Sequence, residues 1–107
     1  MVNNLCIGTA QFGFDYGITN TNGKVASKDV FRILDKANKF KIQFIDTAQS
    51  YSDAEYVIGD NIPKNADFRI ITKLNSNLFN SSEKFLLKNL EESFNCSLKK
   101  LNVKSID

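Results

Sequence analysis

Three ionisable side chains stand where short apolar runs end. Gln43-Phe44-Ile45-Asp46 finishes in a carboxylate, Tyr51 follows five residues later, and Arg69-Ile70-Ile71-Thr72 leads into Lys73. An ammonium beside a phenol favours the ionised phenol and so eases transfer of its proton, while a carboxylate holds the ammonium in place. Asp46, Tyr51 and Lys73 therefore outline a proton-donor site. Taken singly, each has a plainer reading: Asp46 as a strand-end acid, Tyr51 as cover for the core rim, Lys73 as a solvated terminus. Together they fit the way parallel α/β sheets and barrels build sites, one side chain from the C-terminal end of each strand.

The elements needed to carry them alternate along the chain. Leu5-Cys6-Ile7 is an apolar run ending at Gly8, as expected of a buried strand. Gly13, Gly17 and Gly23 then mark a long loop. Their spacing is not G-x-G-x-x-G and no Gly-Lys-Ser/Thr follows, so they read as chain turns rather than a nucleotide fingerprint. Ser27 is expected to cap a helix, with Asp29 in its first turn and Val30, Ile33, Leu34 and Ala37 on one face. Residues 42–45 form the second strand. Ser52 and Glu55 have capping-box spacing for a second helix, which carries Ala54, Val57 and Ile58 on one face and which Gly59 and Pro63 end.

Residues 68–72 are apolar enough for a strand covered on both faces. Asn80 and Glu83 should cap a third helix, whose stripe of Leu87, Leu90, Phe94, Leu98 and Leu101 packs on the sheet rather than in a coiled coil. Residues 103–107 open a fourth strand. The order β-α-β-α-β-α-β, with right-handed crossovers, gives parallel strands.

With 107 residues, the chain forms at most one small domain, and 42% hydrophobic residues argue against disorder. A net charge of +2 on scattered lysines gives no reason to expect nucleic acid. No apolar run approaches the roughly 20 residues of a membrane span, and no charged-then-apolar leader opens the chain, so a cytoplasmic protein is expected. Cys6 and Cys96 lie far apart and read as buried, unpaired thiols. Asn80-Ser81-Ser82 and Asn95-Cys96-Ser97 fit a glycosylation pattern that an asparagine-rich chain produces by chance. Histidine is absent, which removes histidine-based triads and most zinc sites.

The stretch Asp46-Thr47-Ala48-x-x-Tyr51, followed by Ala54-Glu55 and Ile58-Gly59, resembles the signature of the aldo-keto reductases. Ile7-Gly8-Thr9-Ala10 and Ile71-Thr72-Lys73 match in order and at roughly the family's spacing, so the resemblance runs from about Leu5 to Asp107. It implies a (β/α)8 TIM-barrel type of α/β fold. Because a closed barrel takes at least about 200 residues, residues 1–107 would be about its first half, truncated before the end of the fourth strand. It also implies NADPH-dependent reduction of an aldehyde or ketone to an alcohol. Tyr51 would give the proton, Lys73 would assist it, and Asp46 would pair with Lys73. Gly8, Thr9 and Ala10, with Asp46, would lie at the nicotinamide end of the cofactor.

Glycine is usual in the family at positions 41 and 52, where this chain has Lys41 and Ser52. The first ends a helix in a left-handed turn, and the second is a mild change with a capping use. The family's fourth site residue, a histidine, would fall beyond Asp107, and its grip on the cofactor's phosphates lies in later strands. The 107 residues alone are therefore expected to be inactive. Their apolar inner face and open strand edges should make them self-associate or require the missing half barrel. The expected partner is a small carbonyl substrate, with neither nucleic acid nor membrane involved. Two other readings stand beside this one. The first is a non-catalytic binding protein of the same fold, as with potassium-channel β-subunits; the second is a half-barrel remnant. Retention of Tyr51 and Lys73 favours the enzyme.

Overall fold

The computed structural model describes residues 4–80 and 82–107. Three short strands, β1 (Cys6–Gly8), β2 (Phe44–Asp46) and β3 (Arg69–Ile71), pair in parallel in that order. Their register places Ile7, Ile45 and Ile70 in one row, between the rows Cys6, Phe44, Arg69 and Gly8, Asp46, Ile71. Because side chains alternate across a sheet, the isoleucine row faces one way and the other two rows face the opposite way. Four helices follow: α1 (Ala10–Gly13), α2 (Ser27–Lys39), α3 (Ala54–Asn61) and α4 (Glu83–Leu101). A 3-10 turn at Ser76–Asn80 precedes the last.

The core lies between the isoleucine row and the helices. Ile45 and Ile70 pack there with Phe12, Val30, Leu34, Ala54, Ile58 and Leu101. Leu34, Ile45, Ile58 and Leu101 are fully enclosed, each burial stabilising the fold by about 1.5–3 kcal/mol. The opposite face of the sheet is open, with Cys6, Arg69 and Ile71 exposed. This corrects two expectations. The third strand is covered on one face only, and neither cysteine is buried, although both thiols are unpaired.

A partial barrel is the architecture: parallel strands with helices on one side. The fourth strand is not formed among the described residues. Its beginning is present as a single ladder bond, the Asp107 N–H donating to the Ile70 carbonyl at 2.9 Å. Arg69 reinforces that edge through two bonds to Asp107 Oδ1, at 2.9 and 2.7 Å. No helix among the described residues is long and apolar enough to cross a membrane. The triplet that includes Ser81 lies partly outside them.

Several caps differ from expectation. Ser27 is the first helical residue, not the cap. Ala26 takes that place, and its carbonyl accepts from Asp29 and Val30. Ser52 caps nothing either. Its φ of 54° puts it in the left-handed region, the reason glycine is usual there, and Glu55 turns inward to accept a 2.7 Å bond from the Thr72 hydroxyl. Asn80 closes the 3-10 turn, and Ser82 stands at the N-cap of α4. Nor does Gly59 end α3. It lies inside the helix, where a Cβ would stand 2.1 Å from the Lys100 carbonyl oxygen, so glycine is what lets α3 approach α4.

The stripe on α4 is only partly the predicted one. Leu101 is buried and Leu90 and Leu98 are half-buried, as expected, but Leu87 and Phe94 are 70% and 44% exposed and Ser97 is buried instead. Two hydroxyl-bearing residues, Ser93 and Ser97, hold the inner face because a polar partner from the β2–α3 loop meets them, as described below.

The left-handed turn at Lys41 is present, with φ 62°. Lys41 N–H bonds the Asn38 carbonyl and Ile42 N–H bonds the Ala37 carbonyl, both at 3.0 Å, the paired closure of a Schellman turn. Lys41→Gly is therefore expected to stabilise the chain by about 0.5–1 kcal/mol, the relief of a side chain held in the left-handed region less the entropy glycine adds to the unfolded state. A thermal melt should rise by roughly 3–6 °C; an unchanged or lower midpoint would contradict this account of the turn.

Candidate active site

Residues 46 to 52 leave β2 and carry most of the site. Asp46, the last residue of β2, has its backbone held by Thr9, whose N–H and hydroxyl both donate to the Asp46 carbonyl at 3.1 and 2.9 Å. Its carboxylate projects to the open side, where Lys73 Nζ donates to Oδ1 at 2.8 Å. The same ammonium donates to the Thr47 carbonyl at 2.9 Å. The two side chains are 49% and 39% exposed, so the pair adds only about 0–1 kcal/mol to stability. Its use is to aim the ammonium.

Tyr51 completes the group. The Lys73 ammonium lies 5.5 Å from the centroid of the Tyr51 ring, within reach of the ring's negative face. The ring also meets Phe14 edge-on at 6.2 Å, and Phe14 meets Tyr16 in the same way at 5.6 Å. Behind the tyrosine, α1 comes so close that Gly13 has no room for a Cβ: one would stand 1.7 Å from the Tyr51 carbonyl oxygen. The glycines of the first loop thus include one that seats the site, and α1 itself was not visible in the sequence pattern.

Asp46, Tyr51 and Lys73, the three residues expected to act, are brought onto one rim at the C-terminal ends of β2 and β3. An open cavity of about 320 Å³ adjoins Asp46 and Tyr51, lined with them by Gly8, Thr9, Ala10, Gln11 and Tyr16. The Gly8-Thr9-Ala10 segment therefore borders the same space as Asp46 and Tyr51. Thr9 is fully buried and its hydroxyl is occupied by Asp46, so it contributes by holding the aspartate.

Sequence reasoning did not single out Gln11, Tyr16 or Gln49. Gln11 lies on α1 and Tyr16 in the glycine-bearing loop after it, and Gln11 Nε2 donates to the Tyr16 carbonyl at 2.9 Å. Asn20 bonds the Tyr16 and Gly23 carbonyls, at 3.0 Å each. Lys24 then ties the loop to Asp53 through both carboxylate oxygens at 2.7 Å. The one available signal was the polar and aromatic content between the glycines, which turns alone do not require.

Cys6 is in register with Phe44, two rows from Asp46 and on the same face of the sheet. Partial loss of hydration at the sheet surface, and then the Asp46 carboxylate, push its thiol above the ordinary range, against a smaller opposing effect from Lys73. A raised thiol holds less thiolate at neutral pH and alkylates more slowly. Asp46→Asn should therefore speed reaction of Cys6 with iodoacetamide at pH 7.5 by roughly twofold or more, with Cys96 in the same chain as internal reference. Equal rates in the two chains would contradict the coupling.

A search of curated protein sequences returned no match. Among solved structures, the fold is similar to a protein from Pseudomonas aeruginosa assigned to the aldo-keto reductases, with a TM-score of 0.74 and 25% identity. That match covers 94% of this chain and 39% of the other. It is also similar to a thermostable aldo-keto reductase in complex with the inhibitor epalrestat, with a TM-score of 0.68 and 23% identity over 95% of this chain and 35% of the other. The chain thus spans less than two fifths of the length of these structures. The model of the Aldo/keto reductase family matches residues 4–107, nearly the whole sequence. With its strand-end residues gathered on one rim, this chain belongs to the aldo-keto reductase family.

Proposed function

We propose that these residues supply the proton-donor half of a site that reduces an aldehyde or ketone to an alcohol with NADPH. The observation that carries the reading is the Lys73 ammonium, held by Asp46 at 2.8 Å and set against the Tyr51 ring at 5.5 Å. The Tyr51 hydroxyl gives its proton to the carbonyl oxygen as negative charge develops there. Lys73 stabilises the tyrosinate that remains, and Asp46 and the Thr47 carbonyl keep the ammonium in place. The cavity fits the nicotinamide end of the cofactor, because a Cβ on Gly8 would meet nothing within 4 Å and a flat ring can lie over that position. Gly8, Ala10 and Asp46 would border the ring, with Thr9 holding Asp46. When bound, the reduced nicotinamide supplies the hydride that goes to the carbonyl carbon.

The test is a chimera. Residues 4–107 replace the matching part of the Pseudomonas aeruginosa protein, whose remaining strands close the barrel. Reduction of a simple aldehyde with NADPH by the chimera, and none by the remainder alone, is the expected result. A folded chimera that binds NADPH without turnover would favour the binding-protein reading instead.

The same reading implies that the 107-residue chain by itself is inactive and not monomeric. The open sheet face, together with Phe40 and Leu5 at 58% and 51% exposed, leaves apolar surface that a second copy would cover. Size-exclusion chromatography should give a species larger than the 12.1 kDa chain. A monodisperse 12 kDa peak with a cooperative melt would rule this out.

A further inference from the structure

We propose that Gln49 is a positioning residue for the site, clamping the backbone of Lys73 to helix α4; the inference rests on the reading of Lys73 given above. Lys73 lies two residues past the end of β3, where the sheet ladder no longer holds the chain. The Thr72 hydroxyl bonds Glu55, and from Lys73 onward two main-chain groups are held by Gln49. Its main-chain N–H donates to the Lys73 carbonyl at 3.0 Å. Its side-chain Oε1 accepts the N–H of Asn75 at 2.8 Å. The segment carrying the lysine is thus pinned on both sides of Leu74 by a single residue.

The glutamine is itself anchored. Nε2 lies 2.8 Å from Ser93 Oγ, 2.8 Å from Ser97 Oγ and 3.2 Å from the Ser93 carbonyl. Ser93 Oγ is in addition 3.0 Å from Oε1. The two serines stand one turn apart on α4, and Ser97 is 1% exposed. A buried hydroxyl needs a partner, which is why the inner stripe of α4 is interrupted by serines. One short loop therefore holds Lys73 at both ends: Asp46 and Thr47 take the ammonium, and Gln49 takes the backbone. The ammonium's ion pair is half exposed, so the backbone clamp adds to what Asp46 and the Thr47 carbonyl supply.

Gln49→Met keeps the bulk and removes the side-chain bonds. In the full chain, limited reductive methylation read by mass spectrometry gives the rate at Lys73 relative to the exposed Lys28 and Lys64. The variant should raise that ratio roughly three- to tenfold, the effect of losing one or two hydrogen bonds. Amide exchange over residues 73–77 should quicken with it. Gln49→Glu can still accept from Asn75 and from the serine hydroxyls, and should return the ratio toward the parent value. Val30→Ala loosens the core away from the clamp and should leave the ratio unchanged, which separates positioning from general loss of stability.

If Gln49→Met does not fold, Ser93→Ala removes one anchor and should raise the ratio about twofold. A folded Gln49→Met with the parent ratio, or an equal rise in Val30→Ala, would overturn the proposal. The readout does not depend on turnover, so an inactive chimera would count against the reductase reading while the labelling ratio still reports on the clamp.

Discussion

Tyr51→Phe in the barrel-completing chimera is expected to lower kcat for aldehyde reduction by roughly 10²- to 10⁴-fold, the contribution of a positioned proton donor. The expectation follows from what the substitution spares. The ring keeps its edge contact with Phe14 and its place under the Lys73 ammonium, and the backbone bonds of Tyr51 to Ala48 and Ala54 do not involve the hydroxyl. Only the transferable proton is removed. KM and NADPH affinity should change little, because an interaction made only in the transition state appears in kcat. Steady-state kinetics with titration of NADPH fluorescence measures both. A fall in NADPH affinity with kcat retained would mean that the tyrosine serves binding, and the proton would need another source.

Gly13→Ala should be the most damaging small substitution on the site side of the molecule. A methyl group there would stand 1.7 Å from the Tyr51 carbonyl oxygen and 3.2 Å from the Ala54 Cβ. The obstacle is backbone, which cannot swing aside as a side-chain tip can. The Tyr51 carbonyl also accepts the Ala54 N–H that opens α3. Moving it disturbs a helix start as well as the tyrosine. Overpacking of this kind costs about 2–3 kcal/mol, or a fall in melting temperature of roughly 10 °C or more for a chain of this size. Differential scanning calorimetry of the two chains decides it. A shift below about 3 °C would mean that α1 can slide away from Tyr51 at little cost.

Much of this molecule is legible from local pattern. Short apolar runs placed three strands and 3.6-residue spacing placed helices between and after them, because burying apolar surface is the dominant favourable term and leaves its mark in the residues. The placement of Asp46, Tyr51 and Lys73 on one rim was legible for a related reason: strand ends are where a parallel sheet presents side chains, and the second and third apolar runs lead into Asp46 and Lys73. The left-handed Lys41 was anticipated from the family's glycine.

The pattern failed where a residue's partner is distant in sequence. Ser52 and Glu55 have capping-box spacing, yet Glu55 bonds Thr72 and Ser52 takes the left-handed turn that aims α3. Gly59 looks like a helix end and is instead a contact point with Lys100. The stripe of α4 held at Leu90, Leu98 and Leu101 but missed Ser93 and Ser97, which are not apolar and whose inward place is made favourable by Gln49, 44 and 48 residues away. Cys6 looked buried because its neighbours are apolar, but it faces the open side of the sheet. Burial of a face is a local property of the chain. Which polar group satisfies which, and which side of a half-closed sheet is covered, depends on contacts made only when distant segments meet.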